Sequence, residues 1–192
     1  MLDENRQEEK KMDGPLEDEN ILEYVAVKEE DARQFPPEMV NDSPGTITDE
    51  IYQSLYQKVL KLNTQQKVHL AILLANQPTR KMLIQSPNKM ISLAVLRNPK
   101  LTESEVLSYA QQKNLVEDVF LAIAKDPRWM RNYKIKLAIV SNPKTPLSVA
   151  INFLSHLHDN DLKSLSRDKN ISGILSRAAH QGLFKRKNGT AR

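Results

Sequence analysis

The side chains in this sequence with the most to offer chemically are cations placed at a repeated position. Lys100, Arg128 and Lys144 each follow an Asn-Pro or Asp-Pro pair, and Arg97 and Lys125 stand just before that pair in two of the three cases. Ammonium and guanidinium groups recurring at one register position form a positive row suited to phosphates or carboxylates. The single tryptophan, Trp129, sits between Arg128 and Arg131 with Tyr133 nearby, and its ring could stack on a base or peptide or fill a gap in the packing. The candidate anion- or partner-binding residues are therefore Arg97, Lys100, Lys125, Arg128, Trp129, Arg131 and Lys144. Lys134, Lys136, Lys163, Arg167, Lys169 and the KRK run at 185–187 could extend the row, whereas solubility and helix-dipole complementation would equally account for surface cations.

Other chemistries find little to build on. HLHDND at 156–161 gathers two of the four histidines with two aspartates, the one grouping that resembles a metal site. A polar helix end with a capping aspartate explains the same residues, and no further zinc-spaced ligand set follows. With no cysteine, disulfides, thiolate metal sites and cysteine nucleophiles are all ruled out. No nucleophile elbow, Walker loop, dinucleotide fingerprint or H-E-x-x-H string occurs, so neither an enzyme nor a cofactor is expected.

The elements that must position the cations are helices. ISLAVLRNPK (91–100), VFLAIAKDPR (119–128) and IKLAIVSNPK (135–144) share the pattern apolar-x-Leu-Ala-apolar-x-x-Asn/Asp-Pro-Lys/Arg. The leucine and the Ile or Val two positions on should fill a core, and the alanine should let a neighbouring helix approach closely. Proline disfavours the helical conformation of the residue before it, so each helix should end there. Thr102 with Glu105 forms a capping box for the next helix, and Thr145 with Pro146 offers a second restart. Thr48 precedes an acidic first turn with Ile51, Leu55 and Val59 along one face, and Thr64 opens a second helix, apolar on most sides. Leu147, Ala150, Ile151, Leu154 and Leu157 form a stripe. The outer two copies lie 44 residues apart, in the range of HEAT and armadillo repeats. Residues 161–183 read as two closing helices with Asp161 and Ser172 as caps, and strand signals are nearly absent.

On the strings LAVLRNPKLTESEVL, LAIAKDPRW and LAIVSNPKTPLSVAINFL, over about residues 64–180, the chain resembles bacterial HEAT-like and leucine-rich-repeat-variant helical proteins, including those with the repeats behind an acidic arm. The resemblance implies an all-α, short right-handed α-solenoid, here of eight to ten helices. Leucine-rich-repeat-variant proteins can carry a cysteine-ligated iron-sulfur module, and this cysteine-free chain departs from that pattern.

Charge divides the chain sharply. Residues 1–47 hold 14 acids against 5 bases, and residues 48–192 hold 10 against 23, so an arm of −9 precedes a body of +13. The expected organisation is an acidic, largely disordered arm (1–47), a helical-repeat domain (48–184) and a basic C-terminal tail (185–192). Within the arm, the apolar island at 21–27 could dock on the body or bind elsewhere, and FPPEM suits an extended or turn conformation. No run of 18 apolar residues occurs and the N-terminus is acidic, so membrane insertion and secretion are not expected and the cytoplasm is the default. The expected function is a non-catalytic scaffold or adaptor that binds a protein partner. The alternative is sequence-nonspecific DNA or RNA binding through the basic row, masked by the arm. Oligomeric state is left open.

Overall fold

A computed structural model describes residues 35–41 and 49–189. Among these residues every regular element is helical. In chain order they are α1 (Pro37–Val40), α2 (Asp49–Leu60), α3 (Thr64–His69, continuing as a π-helical turn over Leu70–Leu74), α4 (Gln77–Leu83), α5 (Lys89–Val95), α6 (Glu103–Gln111), α7 (Glu117–Lys125), α8 (Pro127–Met130), α9 (Tyr133–Ser141), α10 (Leu147–Leu154), α11 (Asp159–Leu165) and α12 (Gly173–Gly189). These twelve exceed the expected eight to ten because short turns at α1 and α8 are helical as well.

Starts follow from side-chain caps. Asn63, Asn76, Asn88 and Asn132 each accept a backbone N–H of the helix they precede, and Asn63 closes a capping box with Gln66. Thr102 and Glu105 form the expected box on α6. Thr145 does not cap α10: its hydroxyl turns back and donates to the Ile139 carbonyl at 2.6 Å, leaving Pro146 as an N-cap without a side-chain bond. Asp161 lies inside the first turn of α11, which begins after His158, whereas Ser172 does accept the N–H of Ile174.

Helices pack on one another in succession. α4 lies against α1, α2 and α5; α5 joins α3 to α7; α6 meets α9; α10 meets both α9 and α12; and α11 closes against α12. Two apolar clusters result, one from Phe35 to Ile139 and one from Val140 to Ala179. Within each repeated string the first apolar residue and the one four positions on are both buried: Ile91 with Val95, Val119 with Ile123, Ile135 with Ile139. The leucine expected to fill the core (Leu93, Leu121, Leu137) is only half-buried, because the i,i+4 face points inward and the third position falls on its edge. Ile151 is likewise 38% exposed, on the outer edge of the α10 stripe.

The expected boundaries shift at both ends. Phe35 and Met39 are buried, Phe35 meeting the His69 ring edge-on, so the body begins inside the segment assigned to the arm, and α1 replaces the expected extended turn. At the other end α12 runs through 185–189, so the assigned tail begins as helix. The expected disorder of residues 1–20 and the docking of the 21–27 island fall outside the described residues.

What ties successive helices is the asparagine of the joint. Asn142 adopts an extended conformation before Pro143 and is buried. Its side-chain amide donates to the carbonyls of Ala110 (2.8 Å) and Gln112 (2.7 Å) at the end of α6. Asn98 does the same to Ala71 at 2.7 Å. That carbonyl is available because the π turn sends the Ala75 N–H to Leu70 instead. Asn76 repeats the arrangement one step earlier, reaching Glu38 and Asn41 at 2.7 and 2.9 Å. In the middle copy the residue is Asp126, whose carboxylate has no proton to donate, and no such tie forms; it binds Arg128 instead.

Replacing Asn142 by Ala strips two helix-end carbonyls of their donor and should cost about 1–3 kcal/mol. Asp126→Ala removes a cap and its surface pairing with the exposed Arg128 and should cost about 0.5–1 kcal/mol. Urea unfolding of the two variants tests the order; equal losses would show that the tie contributes nothing beyond capping.

Candidate functional site

Six of the seven candidate residues reach solvent. Lys100 and Lys144 occupy equivalent local positions: each backbone N–H is held by the joint asparagine Oδ1 at 2.9 Å, and each side chain is exposed. Arg97, Lys125 and Arg131 are exposed on neighbouring turns. Trp129 is different: at 8% exposure it belongs to the core cluster and offers no open ring face, so it fills the irregular joint rather than stacking on a ligand. Arg128 lies over that ring at 5.1 Å and forks onto the Asp126 carboxylate, with Nη2–Oδ2 at 2.7 Å. The middle of the expected row is thereby neutralised locally.

Electrostatics of that pair follow from the contact. The Arg128 guanidinium holds the Asp126 carboxyl below the usual aspartate range. A carboxyl with a lowered folded pKa stabilises the fold above its unfolded value, and that contribution disappears as pH falls through the folded value. With Arg128 largely exposed it is worth no more than about 1 kcal/mol.

The 156–161 cluster is held by protein partners. Asp161 accepts the Tyr133 hydroxyl, whose oxygen accepts the His158 N–H at 2.9 Å, and the His158 ring lies 4.3 Å from that of Tyr133. Burial first, and then the Asp161 bond, raise the Tyr133 hydroxyl above its ordinary pKa. Asp159 pairs with Arg186 at 2.7 Å. Among the described residues no three His, Asp or Glu side chains converge as metal ligands. Arg186, expected in a basic tail, bonds the carbonyls of Ser155 and Leu157, both at 2.7 Å, where α10 ends, so it caps a helix.

Sequence reasoning missed a buried ion pair. Arg80 and Glu105, their side chains 4% exposed, meet through two bonds, Nε–Oε1 at 2.9 Å and Nη2–Oε2 at 3.0 Å. Arg80 Nη1 also reaches the Ala75 carbonyl at 2.7 Å, and Glu105 accepts from Thr102 and Tyr109. Burial, and then the nearby Glu105 charge, push the Tyr109 hydroxyl well above its ordinary pKa. The Arg80 and Glu105 side chains are buried and bonded to each other, which suits the pair to fixing α4 against α6.

One concave surface lies beside the joints. A groove of about 410 Å³ runs between α6 and α9, lined by Leu107, Ala110, Leu137 and Ala138 with Gln111, Lys113, Lys134, Ser141 and Asn142. Half-burial of the third repeat position, Leu137, makes this floor, and Lys113 and Lys134 are exposed at its edge. No protein family, curated protein or solved structure matches this chain.

Two measurements check these electrostatic assignments. Arg80→Met, which strands a buried carboxylate, should cost about 3–5 kcal/mol, while the double change Arg80→Met with Glu105→Leu should recover most of it; a double variant no better than the single one would refute the pairing. In an NMR titration the Asp126 carboxyl should protonate at lower pH than an ordinary aspartate and move back up in Arg128→Ala; an unmoved titration would refute that contact.

Proposed function

We propose that this chain is a short right-handed α-solenoid of the HEAT or armadillo kind that serves, without catalysis, as an interaction module for a protein partner in the cytoplasm. The observation that carries this reading is the repeated joint. One device, a joint asparagine that ties its segment to an earlier helix and holds the following turn, leaves a cation exposed at Lys100 and again at Lys144. Stacked repeats with side chains projecting at equivalent positions are surfaces on which these scaffolds recognise extended partners. The buried Arg80–Glu105 pair and the protein-held 156–161 cluster are committed to holding helices together, which leaves the exposed joint cations as the groups a partner can meet.

Nucleic-acid binding is the second reading, favoured by the +13 body. Two features weigh toward protein instead. Arg128 is committed to Asp126 in the middle of the row, and the tryptophan that would stack on a base is buried.

Affinity capture with crosslinking, using the full chain and its Lys100→Glu/Lys144→Glu variant, should retain a protein partner that the variant loses several-fold; equal retention would remove these joints from the interface. Fluorescence anisotropy with a short DNA duplex should find binding weaker than about 10⁻⁶ M at physiological salt, the range of nonspecific contacts. Tighter binding that falls steeply with salt and is lost in the variant would establish the nucleic-acid reading.

A further inference from the structure

The groove between α6 and α9 has an aliphatic floor of Leu107, Ala110, Leu137 and Ala138, and both charged residues that line it, Lys113 and Lys134, are cations. The groove between α2 and α4, about 560 Å³, is lined instead by Asp49 and Lys81 with Tyr52, Gln77 and Pro78, so its charges offset each other. A largely apolar trough whose only charged lining residues are cations selects a segment that carries aliphatic side chains and carboxylates together. Such a segment exists in this chain: LEDENILEYVAV, residues 16–27, has four carboxylates, no Lys or Arg, and Leu16, Ile21, Leu22, Tyr24, Val25 and Val27.

Its tether reaches across much of the body. Val27, the end of the segment, precedes Phe35, the first described residue, by eight positions, and Ile21 precedes it by 14. That is up to about 26 Å and about 46 Å of extended chain, against a radius of gyration of about 15 Å for a compact chain of roughly 150 residues.

We propose that the α6–α9 groove is the docking site of this chain's own residues 16–27, with the aliphatic side chains on Leu107 and Leu137 and the carboxylates at Lys113 and Lys134. Tethering supplies a local concentration on the order of millimolar, so a groove that binds the free segment with only millimolar affinity is still about half occupied. An acidic segment of a partner must then displace the chain's own. Only this competition rests on the interaction-module reading; the docking stands on the groove and the segment alone.

The absence of cysteine allows a clean test in the full chain. A nitroxide attached to an Asn20→Cys variant should broaden away the amide signals of Leu107, Ala110, Leu137 and Ala138 and leave those lining the α2–α4 groove. Adding Lys113→Glu and Lys134→Glu, both at exposed positions, should restore the lost signals while circular dichroism stays unchanged. Unbroadened groove signals would overturn the docking, even beside a partner retained in the capture experiment. Equal broadening when the nitroxide is on a separate, isotopically unlabelled chain would overturn it in favour of a second copy.

Discussion

A helix that stops inside a packed array leaves carbonyls without donors, and unless each finds one the stop costs as much as a lost hydrogen bond. The side-chain amide of the joint asparagine meets this constraint. Proline places Asn142 in an extended conformation, which ends α9; its Oδ1 then accepts the N–H of Lys144, and its Nδ2 supplies the carbonyls of Ala110 and Gln112 on α6. One residue thus ends its own helix, shapes the following turn and fixes the distance to an earlier helix. Asparagine suits the position because it carries donor and acceptor on one short planar group; aspartate keeps the acceptor and loses the donor. Asp126 is the natural control. It holds the turn through the Arg128 N–H at 2.9 Å but makes no tie to another helix, and there the array inserts the extra turn α8 and buries Trp129.

The cations are distributed by the same logic. Where the joint residue is a neutral asparagine tied inward, the following lysine projects to solvent, as at 100 and 144. Where it is a carboxylate, the following arginine folds back onto it. Two other arginines are consumed as structural donors: Arg80 against Glu105 and the Ala75 carbonyl, and Arg186 against the end of α10 and Asp159. A count of basic residues therefore overstates the charge available to a ligand, because guanidinium, with its several donors in a rigid fork, is the group most readily recruited to satisfy carbonyls.

Much of the fold was legible in the sequence because it depends on local rules. The all-helical class, the stops before Pro127 and Pro143 and the capping box of Thr102 with Glu105 each follow from contacts within a few residues. What escaped depends on contacts between distant positions. Asn98 to Ala71 spans 27 residues and Arg80 to Glu105 spans 25. Nothing local distinguishes Arg80 from the exposed cations, nor reveals that Thr145, with every local qualification for an N-cap, turns its hydroxyl back to Ile139. The placement of Phe35 and Met39 in the core was missed for the related reason that their sequence neighbours are charged and proline-rich. One clue to the ties was present: asparagine recurs before the joint proline in two of three copies, although Asp or Ser would stop a helix as well.

A repeat that buried all its apolar positions would be smooth, but the i,i+4 pair Ile135 and Ile139 turns fully inward, and Leu137 and Ala138 are left on the flank of α9 facing α6. The Asn142 tie sets how closely α9 approaches α6, and with it the width of the trough. Lys113 and Lys134 lie outside the repeated strings, so the charge at its edge is not an obligatory product of the joint as Lys144 is. Architecture accounts for the trough's floor and spacing; its cationic edge is a separate feature of this chain, and that is the part a carboxylate-bearing segment can read.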